Sequence, residues 1–299
     1  MNSNRWKGVF PAVTTKFKAD FSLDLDAMAK HLEFQLSAGV HGVIILGSLG
    51  ENSTLDMEEK LQLTEFFISK VDGRVPLLAC IAESDTRKAC FYAKQAEKMG
   101  IDGFMLLPPM RYSSDQRETM SYLEEVAAAT DVPVMLYNNP VAYGTDLSPA
   151  DFETLASNPK FVAIKESSAN TRRIPEIRRK TADRYAIFCG VDDLAFESFT
   201  LGAVGWVAGL VVAFPHETVR LYDLMCAEKW TEARELYEWF LPLLSLDIGP
   251  KFVQQIKLVE ELMGLGSARV RSPRLSLDDA EAANARQILA QALETRPQL

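Results

Sequence analysis

Eight short apolar runs recur along the chain, each followed by a longer stretch with helical periodicity. The runs are Gly8–Thr14, Gly42–Gly47, Pro76–Ala82, Gly103–Pro108, Pro133–Tyr137, Phe161–Lys165, Ala186–Gly190 and Val204–Gly209. Many are apolar nearly throughout, as parallel strands covered on both faces should be. Their starts lie 34, 34, 27, 30, 28, 25 and 18 residues apart. Between them lie the amphipathic patterns Asp24–Ala38, Asp56–Val71, Thr86–Met99, Asp115–Ala129, Ser148–Ser157, Thr171–Thr181 and Asp193–Leu201. Ser148-Pro149 and Asp56 with Glu58 and Glu59 are helix-start signals. Eight alternating units at this pitch predict a closed (β/α)8 barrel, the TIM-barrel architecture. The rival, an open doubly wound sheet, usually carries a glycine-rich turn after its first strand. Pro11-Ala12-Val13-Thr14 is not such a turn.

About 80 of the 299 residues follow the eighth run, too many for one closing helix. We expect a barrel over 1–215 and a helical region over 216–299, with helices at Glu217–Ala227, Thr231–Leu244, Lys251–Met263 and Asp278–Leu293. This region could cap the barrel or mediate subunit contact. The net charge of −9 argues against nucleic acid or an anionic membrane as partner. Cys80, Cys90, Cys189 and Cys226 form no paired motif, and His31, His41 and His216 lack metal-ligand spacing, so the cysteines read as small core residues of a reducing compartment. Met1 to Lys7 shows no leader pattern, and the expected location is cytoplasmic. The uncharged stretch Ser198–His216 is broken by Gly202, Gly205, Gly209 and Pro215 and reads as a helix end, a buried strand and a loop, not a membrane span.

A barrel places its chemistry at the carboxyl ends of its strands. Alternation along Phe161–Lys165 puts Phe161, Ala163 and Lys165 on one face, pointing Lys165 into the barrel if Val162 and Ile164 meet the helices. Shelter from water favours the neutral amine, a nucleophile able to condense with a ketone or aldehyde. The bland alternative is a solvated lysine paired with Glu166. Tyr137, one strand earlier at the same level, could move protons beside an iminium, or could be an aromatic core plug. Ser48, with the amides of Leu49 and Gly50, could hold a carboxylate, or simply make a tight turn. Glu51 could order that loop or be a solvated acid. Asp192 and Asp193 read first as a helix N-cap pair, with a divalent-metal site as a weak alternative.

Taken together, Gly47-Ser48-Leu49-Gly50-Glu51, Tyr137-Asn138-Asn139-Pro140 and Val162-Ala163-Ile164-Lys165-Glu166-Ser167-Ser168 resemble the dihydrodipicolinate synthase / N-acetylneuraminate lyase family of Schiff-base-forming barrels. The 28-residue separation of Tyr137 and Lys165 is also similar to the family's. The resemblance covers essentially the whole chain. It implies Lys165 as the Schiff-base lysine, Tyr137 as the proton-exchanging phenol, and Ser48, Leu49, Gly50 and Asn139 around the substrate. It also implies a homotetramer and no cofactor, since the lysine itself supplies the electron sink.

Three departures bear on the substrate. Leu49 stands where the family usually has a second hydroxyl. Ala142 stands where the synthase usually carries an arginine for a second carboxylate. In Pro108-Pro109-Met110-Arg111-Tyr112 only Tyr112 could serve for the family's tyrosine pair. These losses argue against the lysine-pathway synthase, and the start motif Val9–Lys16 looks most like the subgroup of hydroxyproline-degradation deaminases. The expected reaction is deamination of 1-pyrroline-4-hydroxy-2-carboxylate to 2-oxoglutarate semialdehyde and ammonia. The alternatives are a 2-oxo-3-deoxy sugar acid aldolase or dehydratase, which could use Asn138, Asn139, Ser167 and Ser168 for sugar hydroxyls; the synthase itself; and a 2-oxo acid-binding barrel without catalysis. A phosphate-binding barrel is disfavoured because no basic residue accompanies Gly190, Gly205 and Gly209.

Overall fold

The computed structural model describes residues 6–109 and 112–298. Eight strands form the expected barrel: β1 (Gly8–Pro11), β2 (Val43–Ile45), β3 (Leu77–Ile81), β4 (Gly103–Leu106), β5 (Val134–Asn138), β6 (Phe161–Glu166), β7 (Ala186–Cys189) and β8 (Gly205–Ala208). Each begins within one residue of its predicted start. Every neighbouring pair is parallel, in the order β1-β8-β7-β6-β5-β4-β3-β2. A parallel bridge from Ala12 to Ile44 closes the ring between β1 and β2. Full closure removes the unpaired edges that an open sheet would expose.

Among the described residues twelve helices surround the strands: α1 (Leu25–Ser37), α2 (Met57–Val71), α3 (Thr86–Met99), α4 (Gln116–Ala128), α5 (Pro140–Tyr143), α6 (Pro149–Leu155), α7 (Arg173–Thr181), α8 (Ala195–Thr200), α9 (Pro215–Cys226), α10 (Trp230–Leu244), α11 (Phe252–Leu262) and α12 (Asp279–Glu294). Asp56, Asp115, Ser148 and Asp278 close capping boxes at the starts of α2, α4, α6 and α12, satisfying N–H groups that a helix start otherwise leaves bare. The single turn α5 was not expected. Its signals are Asn139 as N-cap, Pro140 at the first position and Gly144 at the end with φ 72°. None of the helices is long and apolar enough to cross a membrane, among the described residues.

One apolar core runs from Trp6 to Ala292, so the C-terminal helices share it with the barrel. The turn Ser245–Asp247 and the loop into α11 lie over the carboxyl end of the barrel. Two cysteine expectations need correction. Cys226 is exposed and Cys90 is only half-buried, whereas Cys80 and Cys189 are buried. Cys226 is the last residue of α9 and Cys90 lies on the outer helix α3, positions that the barrel interior does not reach.

Candidate active site

The strand ends converge on a cavity of about 490 Å³ at the carboxyl face of the barrel. Lys165 projects into it from the end of β6, only 8% exposed. In the ladder Tyr137 sits directly opposite Lys165 on β5. The lysine Nζ lies 4.2 Å from the centroid of the Tyr137 ring, where the electron-rich face favours a cation, ammonium or iminium. Glu166, the carboxylate that could have neutralised an outward lysine, is occupied elsewhere: it accepts from the Ser168 amide at 2.7 Å and from Asn138 Nδ2 at 3.2 Å. Gly190 makes room for the lysine, since a Cβ there would fall 2.7 Å from Lys165 Cε and 2.0 Å from Ser167 Oγ.

Burial raises the Tyr137 phenol to about 12, while the Asn139 amide and Ser167 moderate the rise. Asn139 Nδ2 donates to Tyr137 Oη at 3.0 Å while its Oδ1 accepts from the Ala142 amide at 3.0 Å, capping α5. One amide therefore fixes both the phenol and the short helix. That helix delivers a residue which the sequence reading passed over. Tyr143 packs edge-on against Tyr137, ring centroids 5.9 Å apart, and its hydroxyl forms a short hydrogen bond with Ser48 Oγ. Burial raises the Tyr143 phenol as well. The Pro140–Gly144 turn signature was the available clue, because a one-turn helix returns its last residue toward the strand end that launched it.

Ser48 and Leu49 line the cavity opposite Lys165, as expected of residues following β2. Gly50 does not. Its carbonyl points away and accepts from Thr15 Oγ1 at 2.6 Å, and a Cβ on it would press on the Val13 carbonyl at 3.1 Å. Glu51 is the loop-ordering carboxylate: fully buried, it pairs with Lys257 Nζ at 2.6 Å and accepts from the Arg271 amide at 2.9 Å. Asn139 and Ser167 line the cavity, whereas Asn138 faces the Asp146–Leu147 loop and Ser168 lies outside. Ala142 lines the mouth. Tyr112 is 58% exposed and does not line this cavity. Met110 and Arg111 lie outside the described residues.

Asp192 and Asp193 do not form an N-cap pair. The turn after β7 starts from Val191 with no side-chain cap. The Asp192 carboxylate instead reaches the end of β8, accepting from Trp206 Nε1 at 2.9 Å and from the amides of Gly209 at 3.1 Å and Leu210 at 2.8 Å. Beside it stands Asp247, a second residue missed in the sequence, brought by the turn after α10. Burial and then Asp192 push the Asp247 carboxyl well above the usual carboxylate range. Burial raises Asp192 too, but its three N–H donors counter the rise, so of the two carboxyls Asp247 is the one pushed further toward the neutral form.

Comparison with known proteins settles the family. The chain matches the Dihydrodipicolinate synthetase family over residues 5–292. It belongs to that family. Members are class I lyases, so the chain is an enzyme of that class. Among similar relatives, the 4-hydroxy-tetrahydrodipicolinate synthase of Methanosphaerula palustris is 32% identical over 291 residues, covering 95% of this chain and 99% of the relative. That of Exiguobacterium sibiricum is 32% identical over 275 residues, covering 91% and 92%. The solved synthase of Methylacidiphilum fumariolicum superposes with a TM-score of 0.93 at 27% identity, covering 96% of both chains. A prophage protein of the family from E. coli K12, solved in complex with pyruvate, gives 0.90 at 29% identity, covering 96% and 99%.

Proposed function

We propose that this member of the dihydrodipicolinate synthetase family is a Schiff-base deaminase of a small cyclic 2-imino acid, with 1-pyrroline-4-hydroxy-2-carboxylate as the substrate that fits best. The observation that carries the reading is the charge of the cavity wall. Among the described residues Lys165 is the one cation lining it, and two carboxyl groups, Asp192 and Asp247, line the far side. A synthase must hold a second substrate's carboxylate there, yet Ala142 and Val141 offer it no partner and Asp192 repels it. An imino acid with a single carboxylate, held by Ser48 and the Leu49 amide, leaves a hydroxyl and an amine to face the acidic side.

The chemistry follows in sequence. Lys165 Nζ attacks C2 of the ring imine. Tyr137 gives its proton to the departing ring nitrogen, and the ring opens to an iminium on Lys165. The phenolate, held by Asn139 Nδ2, takes a proton from C3, and the C4 hydroxyl takes up a proton from a second acid on the cavity wall and leaves as water. The new double bond moves out to C5, hydrolysis there releases ammonia, and hydrolysis of the Schiff base frees the 2-oxo acid. The net reaction consumes one water. Tyr137 thus acts first as acid and then as base, which suits a phenol that is protonated in the resting site.

The names of the relatives favour a second reading, the 4-hydroxy-tetrahydrodipicolinate synthase, and the sugar-acid reading has Asn139 and Ser167 left on the cavity wall. Ammonia release from the cyclic imine, measured beside aspartate-semialdehyde condensation and pyruvate release from 2-oxo-3-deoxy sugar acids, separates the three. Lys165→Ala should abolish turnover and the borohydride-trapped adduct; turnover that survives removes the Schiff-base reading. By the same resemblance we infer a cytoplasmic homotetramer, which sedimentation of the purified protein tests.

A further inference from the structure

Every strand end around the cavity belongs to the barrel, but one functional group does not. Asp247 enters from the turn Ser245–Asp247, between α10 and α11 of the C-terminal region, and lines the cavity beside Gly209. Its approach to the chain after β8 is close: a Cβ on Gly209 would fall 2.3 Å from Asp247 Oδ1. The carboxyl makes no hydrogen bond to another described residue; its neighbours act on it through charge and burial alone. Asp192, by contrast, is fixed by Trp206, Gly209 and Leu210. A carboxyl brought this near a wall, next to a fixed carboxylate and with no protein partner, is poised to meet something in the cavity.

The direction of the substrate says what it meets. Ser48 follows β2, and Lys165 lies next to the last residue of β6, diametrically across the ring. A 2-oxo or 2-imino acid spans that diameter with its carboxylate at Ser48 and its C2 at Lys165. Its remaining carbons turn toward the β4 side, walled by Met105, or toward the β8 side, walled by Val207, Gly209 and Asp247. A hydroxyl finds a polar partner on the second side. Hydroxide is a poor leaving group, so loss of water from C4 needs a proton donor at that oxygen, and Tyr137 is already engaged with Asn139 and the C3 proton.

We infer that Asp247 is the general acid of the site, delivering the proton with which the substrate's hydroxyl departs. The inference rests on the Schiff-base reading above. In the step, the C3–H bond breaks and its proton passes to the Tyr137 phenolate. The electron pair forms C3=C4, the C4–O bond breaks, and the oxygen takes the Asp247 proton and leaves as water. Asp247 becomes a carboxylate and recovers a proton from solvent through the cavity mouth. No outside oxidant or reductant is needed.

The test compares full-length wild type with Asp247→Asn, which keeps the shape and removes the acid. Three readouts are taken: the borohydride adduct on Lys165 with pyruvate, ammonia release from the 4-hydroxy cyclic imine, and ammonia release from its 4-fluoro analogue, whose fluoride departs without full protonation. The variant should retain the pyruvate adduct, lose about 100-fold in ammonia release from the hydroxy compound, and lose less than about 10-fold with the fluoro compound. Hydroxy turnover within roughly threefold of wild type overturns the assignment, as do equal losses on both compounds, which mark a structural role. A wild-type protein that forms the adduct but eliminates from neither compound overturns the assignment and leaves Lys165 as the Schiff-base residue. No adduct in wild type overturns both.

Discussion

A neighbour with no side chain keeps Lys165 in place. Gly190, on the adjacent β7 end, leaves the space that the lysine stem and Ser167 occupy. Gly190→Ala should therefore displace Lys165 from the Tyr137 ring and slow trapping of pyruvate by about 10-fold or more, because misplacing a reacting atom by an ångström is that costly. Mass spectrometry of the borohydride adduct against time checks this, and an unchanged trapping rate refutes it. Tyr143 is the second residue whose role is geometric. Its hydroxyl touches Ser48 while its ring meets Tyr137, so it joins the carboxylate-binding loop to the proton-moving phenol. That loop carries Leu49 beside Ser48, and Tyr143 brings it a hydroxyl from the end of α5. Tyr143→Phe should lower kcat by about 10- to 100-fold while leaving the Lys165 adduct intact. Steady-state kinetics with adduct trapping read both halves, and a kcat within twofold of wild type, set against those factors, shows that Ser48 needs no such partner.

At the scale of elements, the loop after β2 is held from behind by α11 and the segment that follows it. Glu51 adopts φ 55°, an uncommon value for a residue with a side chain, and its buried carboxylate is gripped by Lys257 and the Arg271 amide. Arg271 continues the clamp to Glu59 at the start of α2, 2.6 Å away, and lies over the Phe17 ring at 4.4 Å. Removing one member of a buried pair strands the other charge. Lys257→Met should cost about 3–5 kcal/mol in urea unfolding and raise KM for the cyclic imine by loosening Ser48 and Leu49. A fall of less than about 1 kcal/mol would show that Arg271 and Arg274, whose guanidinium lies 3.8 Å from Glu51, suffice. The helix starts here were readable from sequence because Asp, Ser and Pro cap locally. The clamp was not, since Glu51 and Lys257 are 206 residues apart and nothing in either neighbourhood names the other.

For the molecule as a whole, one buried network is expected to weaken in acid. His31, on α1, is buried against the Val212 carbonyl at 2.7 Å and Glu260 at 3.4 Å. Burial first, and Lys16 second, lower its pKa from 6.5 to about 4. The unfolded chain therefore takes up this proton before the folded one. Stability is complete above pH 6.5 and declines as pH falls toward 4, by at most about 3 kcal/mol from this group. Glu260 acts in the same direction at lower pH: burial would raise it, but Lys16 at 2.6 Å and His31 outweigh that and hold it below the usual carboxylate value. The fall in thermal midpoint from about pH 6.5 to about 4.5 should be smaller in His31→Gln than in wild type, the raised Asp247 and Glu166 carboxyls titrating in the opposite sense in both, and identical profiles would count against this network. The same interior shows where sequence reading ended. The eight strands, their starts, the helix caps, and the facing pair Lys165 and Tyr137 were fixed by local physics: period-two alternation, capping chemistry and the rule that barrels act at strand ends. Gly50's turn away from the cavity, Asp192's reach to β8, Tyr143's return to Ser48 and Asp247's entry from beyond the barrel were decided by tertiary structure. Each depends on which distant surfaces closure of the ring and docking of the C-terminal helices bring together, and no periodicity records that distance.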